Sequence, residues 1–380
     1  MNAPAFGMVA GEASGDLLAG LLLDGLRARW PHLTAGGIGG AAMQQRGFDA
    51  WWPSERLAVS GYSLEVLRRV RELVAMRGQL RERLLRAPPA AFIGVDAPDF
   101  NLALEASLRR RGVKTLHFVC PSIWAWRAKR VDKIRAAADH VLCVFPFEPA
   151  LLQGHGISAS YVGHPLANII AREPDRAAAR MALGLPVDAT VVALLPGSRQ
   201  GEIAQMAPRF LAAAALMQRA RPGLQFVLPV LPPRRAQVEQ HLMANGGAHG
   251  LTLLDGQSHL ALAACNVALV ASGTATLETA LFKRPMVVAY AVHPIAYQIL
   301  RRRHLQEWIG LPNILCGELV VPELVQSAAT PAALAEATLA WLDQPEKAAA
   351  LERRFHALHE QLQRDTSSLC ADAVEKVIRA

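Results

Sequence analysis

Short apolar runs, most of them followed by a glycine-bearing turn and a longer amphipathic stretch, recur along this chain. In the first half they predict strands over residues 5–10, 35–38, 90–95, 114–119, 140–144 and 160–163. In the second half they predict strands over 190–195, 225–230, 251–254, 266–271 and 286–290, and helices over 202–220, 233–245 and 274–283. Strands that alternate with helices indicate a parallel α/β architecture.

The pattern breaks between residues 166 and 188, where Pro174 and Pro186 flank a charged segment without strand character. We place the connection between two domains there, and a length of 380 residues fits about two domains. Thr330 followed by Pro331 starts a helix, because proline suits the first helical position. Helices over 331–343, 345–363 and 368–379 then end the chain.

Two turns in the second half share one design, in which an apolar strand leads through a glycine-bearing turn into an amphipathic helix. The first is VVALLPGSRQGEI (191–203), and the second is NVALVASGTATLETAL (266–281). Glycine lets the backbone approach a ligand, and the free N–H groups of a helix start attract anions. Neither turn matches the phosphate-loop pattern or the dinucleotide fingerprint GxGxxG. Together they predict a diphosphate held at the strand ends.

Polar side chains on both turns suit such a ligand. The predicted phosphate contacts are Ser198, Arg199, Ser272, Gly273 and Thr274. The guanidinium of Arg199 could pair with a diphosphate through two parallel hydrogen bonds. Glu278 lies one helical turn beyond Thr274 and could reach ribose hydroxyls. A structural interpretation stays open, with Thr274 as a helix cap and Glu278 as a solvated helix residue.

The segment FIGVDAPDFN (92–101) places Asp96 directly after a buried strand and Asp99 three residues later. In open α/β sheets ligands gather at the carboxyl ends of strands, where a carboxylate can act as general base on a hydroxyl. Either residue could instead cap a helix that begins near Asn101. We assign the cap to Asp99 and the functional role to Asp96.

The segment AGEASGD (10–16) is predicted to form a turn before a helix over 17–30, and it is typical of an anion or sugar loop. The residues that such a loop would use are Gly11, Glu12, Ser14 and Gly15. The glycine spacing does not fit a dinucleotide fingerprint, and the GxSxG of a hydrolase elbow is absent. Asp16 could simply cap the following helix.

The segment 51–86 interleaves arginines with apolar positions at helical spacing. These apolar positions are Leu64, Val66, Leu67, Val70, Leu73 and Val74. A basic amphipathic helix can lie on an anionic membrane. By spacing alone, the favoured interpretation is instead a helix whose apolar side faces the protein core and whose charged side faces solvent.

The net charge of +8, from 40 basic and 32 acidic residues, suits nucleotides, phosphorylated substrates or an anionic membrane surface. No nucleic-acid-binding motif is found, so nucleic acid is not an expected partner. No apolar run approaches the ~20 residues of a membrane span, and no signal peptide is evident.

Five scattered cysteines without CxxC predict reduced thiols in a cytoplasmic protein. His356 and His359 are expected on a solvated helix face rather than at a metal.

Nine stretches occur in the order found in one enzyme family. They are AGEASGD (10–16), GVDAPDFN (94–101), PSIWAWRAKRV (121–131), FPFE (145–148), VGHP (162–165), LLPGSRQGEI (194–203), ASGTATLE (271–278), PMVVAY (285–290) and LPNIL (311–315). The chain therefore resembles the lipid-A-disaccharide synthases, inverting glycosyltransferases of the GT-B architecture. The resemblance implies an α/β fold of two Rossmann-like doubly wound domains facing across a cleft, with C-terminal helices.

Domain roles also follow from the resemblance. It implies an acceptor- and lipid-binding domain over 1–168, completed by a helix over 364–380. A UDP-sugar-binding domain would cover 169–345, and a helical tail would cover 346–380. Relatives of this kind look like homodimers with exchanged C-terminal parts.

The implied reaction takes place on the inner face of the cytoplasmic membrane. UDP-2,3-diacylglucosamine donates its sugar to the 6-hydroxyl of 2,3-diacylglucosamine 1-phosphate, giving the β(1→6) disaccharide 1-phosphate and UDP. No cofactor and no metal are expected, because cationic side chains and helix dipoles would stabilise the diphosphate and the chain has no DxD.

The resemblance also implies individual roles. Asp96 would be the base, and Arg199 with the helix start at Gly197 and Ser198 would stabilise the departing UDP. Asn313 would line the nucleotide site together with Ser272, Gly273, Thr274 and Glu278. The apolar positions between 64 and 76 would admit acyl chains and contact the bilayer.

Two other functions stay open. A UDP-sugar 2-epimerase has the same architecture but gives no reason for the basic amphipathic segment. A non-catalytic nucleotide-sugar-binding membrane protein would have no need of Asp96 at a strand end.

Overall fold

The computed structural model describes residues 3–57, 64–124, 130–245, 249–292, 297 and 307–380. The chain divides into two compact units. The first comprises Met1–Pro165 together with Leu362–Ala380, and the second comprises Leu166–Gln361.

Seven of the described strands form a parallel sheet in the first unit. They are β1 (Ala5–Ala10), β2 (Thr34–Gly39), β3 (Asp49–Pro53), β4 (Ala91–Val95), β5 (Thr115–Phe118), β6 (His140–Cys143) and β7 (Ala159–Tyr161). Their order across the sheet is β3-β2-β1-β4-β5-β6-β7. The order therefore reverses between β1 and β4, which is where open α/β sheets bind ligands.

Helices connect these strands. They are α1 (Glu12–Arg29), α2 (Ala41–Gln44), α3 (Leu64–Arg86), α4 (Pro98–Arg109), α5 (Arg130–Ala137) and α6 (Glu148–Gln153). Leu80 and Leu84 of α3 join Leu104 of α4 in one buried cluster with Phe92 of β4. The sheet and its helices thus share a continuous core that holds the strand ends in place.

The second unit has a parallel sheet of six described strands. They are β8 (Val191–Leu195), β9 (Gln225–Val230), β10 (Leu251–Asp255), β11 (Val267–Ala271), β12 (Met286–Tyr290) and β13 (Glu323–Val325). Their order is β10-β9-β8-β11-β12-β13, so the reversal lies between β8 and β11. Its helices are α7 (Leu166–Ile169), α8 (Arg176–Ala182), α9 (Gln200–Ala220), α10 (Arg235–Asn245), α11 (Ser258–Ala264), α12 (Thr274–Leu281), α13 (Leu311–Cys316), α14 (Pro331–Asp343) and α15 (Pro345–Leu362).

The last helix, α16 (Thr366–Arg379), belongs to the first unit and packs against α1. A Cβ atom at Gly25 would lie 2.0 Å from the carbonyl oxygen of Ser367, so this contact requires glycine. Arg29 at the end of α1 forms an ion pair with Asp372.

Several predicted elements differ from the observed ones. Strands β3 and β13 were not predicted; both lie at sheet edges, and each has a proline in or next to it. Helix α1 begins at Glu12 rather than at residue 17, so the predicted loop over 10–16 is mostly the first turns of a helix.

His359 is not on a solvated face, contrary to the prediction, because its side chain is 1% exposed. It shares a buried face of α15 with Phe355. Its Nδ1 accepts a hydrogen bond from Lys283 Nζ at 2.7 Å, and its Nε2 donates to the Ala167 carbonyl at 2.8 Å. Burial lowers the pKa of His359 and lowers the pKa of Lys283 to about 8.

Within the described residues no helix is both long and apolar enough to cross a bilayer. All five cysteines are free thiols, as predicted; Cys316 is half-buried and the other four are buried.

Candidate functional site

The two glycine-bearing turns of the second unit lie side by side at its strand reversal. Strands β8 and β11 pair in register, with Leu194 opposite Leu269. Gly197, Ser198 and Arg199 therefore leave the sheet next to the turn that follows β11.

A pocket of about 320 Å³ lies at these strand ends. The predicted residues in its wall are Gly197, Ser198, Arg199, Ser272, Gly273, Thr274 and Glu278. Residues not predicted also line it, among them Glu202, Pro229, Val230, Leu231, Gly256 and Ser258. Ligand pockets are typically ~300–1,000 Å³ and combine apolar walls with a few convergent polar groups.

The second turn presents an open helix start to this pocket. Gly273 has φ 151° and no side chain caps α12. In the part of the chain that the structure describes, the backbone N–H groups of Gly273, Thr274 and Ala275 meet no protein acceptor. Thr274 is exposed and is not a helix cap, so the alternative structural interpretation of this residue is wrong. The open N–H groups form an anion-binding end of a helix.

The first turn is arranged differently from the prediction of a free helix start. The Glu202 carboxylate accepts hydrogen bonds from the backbone N–H groups of Ser198 and Arg199, both at 3.2 Å. A Cβ atom at Gly197 would lie 2.7 Å from Glu202 Oε2, and its φ of 111° also favours glycine. These two N–H groups are thus engaged by the protein itself, and Arg199 is left as the cation of this turn.

Arg199 and Glu278 are two charged residues of the pocket wall. The Arg199 side chain is 80% exposed, and its Nη1 lies 3.1 Å from Glu202 Oε1. Glu278 is half-buried, and its Oε2 lies 3.5 Å from His259 Nε2. A cation and a helix start suit a diphosphate, and a carboxylate suits sugar hydroxyls.

Asn313 lies apart from these residues and does not line the pocket. It is fully buried, and its amide nitrogen donates to the Val321 carbonyl and to Glu323 Oε1. Its amide oxygen accepts from the N–H groups of Val320 and Val321. Since all its hydrogen-bonding capacity is used, Asn313 connects α13 to the segment before β13 and is not available to a nucleotide.

Asp96 occupies the corresponding reversal of the first sheet. It follows β4 directly, is half-buried, and has φ 51°; the next residue, Ala97, has φ 43°. Left-handed backbone at consecutive non-glycine residues is strained and clusters at functional sites. Gly11 directly follows the adjacent β1, and a Cβ atom at this glycine would lie 2.8 Å from the Cβ atom of Ala97.

The rest of the predicted anion or sugar loop lies in the first turns of α1. Gly15 is buried, and a Cβ atom at this position would lie 3.6 Å from the Val95 carbonyl oxygen. Ser14 is exposed. The side chain of Glu12 lies outside the described residues. The start of α1, at the N-cap Gly11, has no side-chain cap.

The helix cap predicted at Asp99 is wrong, and so is the alternative that Asp16 caps its own helix. Asp99 is the second residue of α4, whose N-cap is Ala97, and its carboxylate pairs with Arg130. Asp16 lies inside α1 and accepts hydrogen bonds from the N–H groups of Gly40 and Ala42, at 2.7 and 2.8 Å. It therefore caps α2 rather than its own helix.

Three further motifs meet at the carboxyl ends of β5, β6 and β7. The Trp124 ring contacts Phe147 edge-on at 5.4 Å, and Phe145 stacks on His164 at 5.5 Å. Trp124 Nε1 donates to the buried Glu148 carboxylate at 3.0 Å. Burial raises the pKa of Glu148 to about 7 and lowers that of His164 to about 4. Residues 125–129 of this motif lie outside the described residues.

The predicted lipid-contacting positions divide between core and surface. Leu73 is half-buried and packs against the core cluster beside Met76 and Leu80, and its contact with lipid stays a prediction. Val74 is 52% exposed. The side chains of the other predicted positions, Leu64, Val66, Leu67 and Val70, lie outside the described residues.

Sequence reasoning missed Glu202 and the residues after β9 and β10. Glu202 stands at the third position of α9, where a glutamate reaches back to the N-cap N–H, and this spacing is readable in a sequence. Leu231 and Ser258 follow strand ends, a position that by itself marks candidates at a sheet reversal.

A family model described as Lipid-A-disaccharide synthetase (LpxB) matches residues 7–374. The chain belongs to this family. A lipid-A-disaccharide synthase of Verminephrobacter eiseniae is 60% identical over 383 residues, which cover 100% of this chain and 98% of that protein. One of Bordetella pertussis is 51% identical over 386 residues, 98% of each chain. The predicted family and the predicted enzyme class, a glycosyltransferase of lipid A synthesis, are confirmed.

Solved structures share the fold of this lipid-A-disaccharide synthetase family member. A UDP-GlcNAc 2-epimerase from Neisseria meningitidis bound to UDP-GlcNAc has a TM-score of 0.64 at 12% identity, over 99% of this chain and 100% of that one. The Anabaena protein HepE, in complex with UDP and glucose, has a TM-score of 0.61 at 13% identity, over 98% and 100%. The predicted fold class of two Rossmann-like sheets is confirmed. At these identities the likeness concerns the fold alone, and it gives the epimerase alternative no support as an activity.

Proposed function

We propose that this chain transfers the sugar of UDP-2,3-diacylglucosamine to the 6-hydroxyl of 2,3-diacylglucosamine 1-phosphate with inversion. The new bond joins the acceptor oxygen to the anomeric carbon, while the bond from that carbon to the UDP oxygen breaks. The hydroxyl proton passes to a base, and UDP leaves as an anion. Family membership supports this reaction, and the polar groups at both strand reversals support the roles that follow.

Asp96 is the proposed base. Its place after β4, its partial exposure and its left-handed backbone support a carboxylate presented at a strand end. A base must lie within hydrogen-bond reach of the proton that it removes. The start of α1 at Gly11, next to Ala97, would hold polar or anionic groups of the acceptor sugar.

The pocket of the second unit is the proposed UDP site. The open N–H groups of Gly273 and Thr274 would hold phosphate oxygens, and Glu278 would bind ribose hydroxyls. Arg199 would stabilise the charge that grows on the leaving diphosphate. Because Glu202 engages the first turn, the second turn would supply most of the backbone contacts.

Contact with the anionic inner face of the cytoplasmic membrane is proposed for α3. Exposed Val74 supports it, as do the basic residues of this helix and the net charge of +8. A homodimer, implied by the family resemblance, stays a prediction that light scattering of the purified protein would measure.

The observation that carries the proposal is the family match over residues 7–374. The test incubates purified protein with both acylated monosaccharides and measures disaccharide and UDP by mass spectrometry. We expect both products in equal amounts, with a β linkage by NMR. Conversion of UDP-N-acetylglucosamine to its 2-epimer without any disaccharide would favour the epimerase alternative, and binding without turnover would favour the non-catalytic one.

A further inference from the structure

A buried polar network lies behind the turn that carries Asp96. Asn101 is completely buried, and its Nδ2 donates to the Asp96 carbonyl oxygen at 2.8 Å. The same nitrogen lies 3.4 Å from the carbonyl oxygens of Val95 and Val9. One amide group therefore connects the ends of β1 and β4 to the turn between β4 and α4.

A second buried pair adjoins this amide. Glu105 Oε1 lies 2.7 Å from His117 Nδ1, and both side chains are 0% exposed. Glu105 follows Asn101 by one helical turn on α4, and His117 on β5 pairs with Gly94 on β4. His117 of this pair therefore lies opposite Gly94, one residue before the last residue of β4.

Gly94 makes room for this arrangement. A Cβ atom there would lie 2.1 Å from Glu105 Oε1 and 2.9 Å from Asn101 Cγ. The two side-chain groups consequently lie within about 5 Å of each other, over the same point of the strand. A larger residue at position 94 would displace both.

Three polar atoms of the network have no hydrogen-bond partner within the part of the chain that the structure describes. They are Asn101 Oδ1, Glu105 Oε2 and His117 Nε2. Buried polar groups are costly when unpaired, and apolar residues of similar volume would serve stability as well. The network therefore calls for a role other than stability.

We propose that Asn101, Glu105 and His117 are positioning residues for Asp96, with a protonated Glu105 donating from Oε2 to Asn101 Oδ1. That hydrogen bond orients the amide so that Nδ2 faces the Asp96 carbonyl and holds the left-handed turn. His117 donates from Nδ1 to Glu105 Oε1. Burial outweighs the neighbouring His117 and raises the pKa of Glu105, in agreement with this proton assignment.

The inference rests on the proposed role of Asp96 as base, and the test separates the two. Steady-state rates of disaccharide formation are compared for Glu105→Gln, Glu105→Ala and Asn101→Ala. Glutamine keeps an N–H donor toward Asn101 and an acceptor toward His117, so Glu105→Gln should retain kcat within about threefold. Both alanine variants should lose kcat by about 10- to 100-fold, the scale of a misplaced catalytic group, with KM for the UDP-sugar unchanged.

Thr115→Val is the matched control, because Thr115 is buried on the same strand as His117 and its Oγ1 donates to the Ala137 carbonyl at 2.7 Å. It should lower the melting temperature without lowering kcat. Circular dichroism checks folding, and Glu105→Leu, which keeps the volume, replaces Glu105→Ala if the alanine variant does not fold.

Full activity of Asn101→Ala, or equal losses in Glu105→Gln and Glu105→Ala, would overturn the inference. Asp96→Asn is measured alongside these variants. An inactive Asp96→Asn with a fully active Asn101→Ala overturns only the positioning network, whereas an active Asp96→Asn overturns the assignment of the base.

Discussion

Glu202 holds Arg199 through both its side chain and its backbone. Its Oε1 lies 3.1 Å from Arg199 Nη1, and its Oε2 accepts the Arg199 backbone N–H at 3.2 Å. The carboxylate therefore sits at a helix start where a phosphate would otherwise bind, and it leaves the guanidinium as the exposed cation. This arrangement makes the two residues act in opposite directions on a bound diphosphate.

Replacing Arg199 by alanine should impair both binding and chemistry. We expect UDP to bind about 10- to 100-fold more weakly, the scale of a hydrogen bond to a charged group. We expect kcat to fall by about 10²- to 10³-fold, because charge grows on the leaving group in the transition state. Calorimetry and the product assay measure the two effects. Arg219→Ala removes an exposed cation from the other end of α9 and should change neither.

Neutralising Glu202 should have the reverse effect on UDP. Glu202→Gln removes a negative charge from the pocket wall, and we expect UDP affinity to rise about fivefold, equivalent to ~1 kcal/mol of relieved repulsion. The gain should shrink as salt is added. Glu336→Gln on α14, which does not line the pocket, is the control. Unchanged or weaker UDP binding in Glu202→Gln would mean that its carboxylate does not face the diphosphate.

Removing the exposed apolar group of α3 should weaken membrane contact. We expect Val74→Gln to bind vesicles of phosphatidylethanolamine and phosphatidylglycerol about fivefold less well, since it removes ~1 kcal/mol of apolar burial. Flotation with liposomes measures the change. Val187→Gln is a matched control, because Val187 is 55% exposed and belongs to the second unit. Equal losses in the two variants, or none, would argue against α3 as the membrane-contacting helix.

The buried Glu148 should make stability depend on pH. Its pKa is raised from 4.5 to about 7 by burial, so the folded protein holds the proton more tightly than the unfolded chain. The free energy of unfolding should therefore fall as the pH rises from about 4.5 to 7, by at most ~3 kcal/mol from this group. In Glu148→Gln this component should be absent. Urea unfolding at pH 5 and pH 8 compares the two proteins, and identical pH dependences would contradict the assignment.

The order of strands and helices was predictable because each buried parallel strand is a continuous apolar run bounded by a turn. Edge strands carry no such signal. β3 is half-exposed and ends in Pro53, and β13 has only three residues and begins with Glu323. Their pairing depends on the neighbouring strand rather than on their own composition.

The candidate site was predictable where its residues lie in a turn directly after a buried strand, as Gly197, Gly273 and Asp96 do. It was not predictable where the same residue type suits both a ligand-binding role and a structural role. Asn313 has a residue type suited to a ligand, yet its side chain makes its hydrogen bonds within the protein. Leu73 has a residue type suited to lipid, and it also packs in part against the core cluster. Glu202 was missed although its position, three residues after the N-cap Arg199, is readable in a sequence. The positive φ at the neighbouring Gly197 is the part of this turn that a sequence does not display.

The most direct test of the account is the rate of disaccharide formation by Asp96→Asn beside Asp99→Asn, with UDP affinity measured on the same samples. Asp99 is exposed and pairs with Arg130, so its substitution makes the same chemical change three residues away. We predict that Asp96→Asn loses at least about 10³-fold in kcat while binding UDP normally, and that Asp99→Asn stays within about threefold of the parent enzyme. Substantial turnover by Asp96→Asn would contradict the account, because the acceptor hydroxyl would then lose its proton to another group.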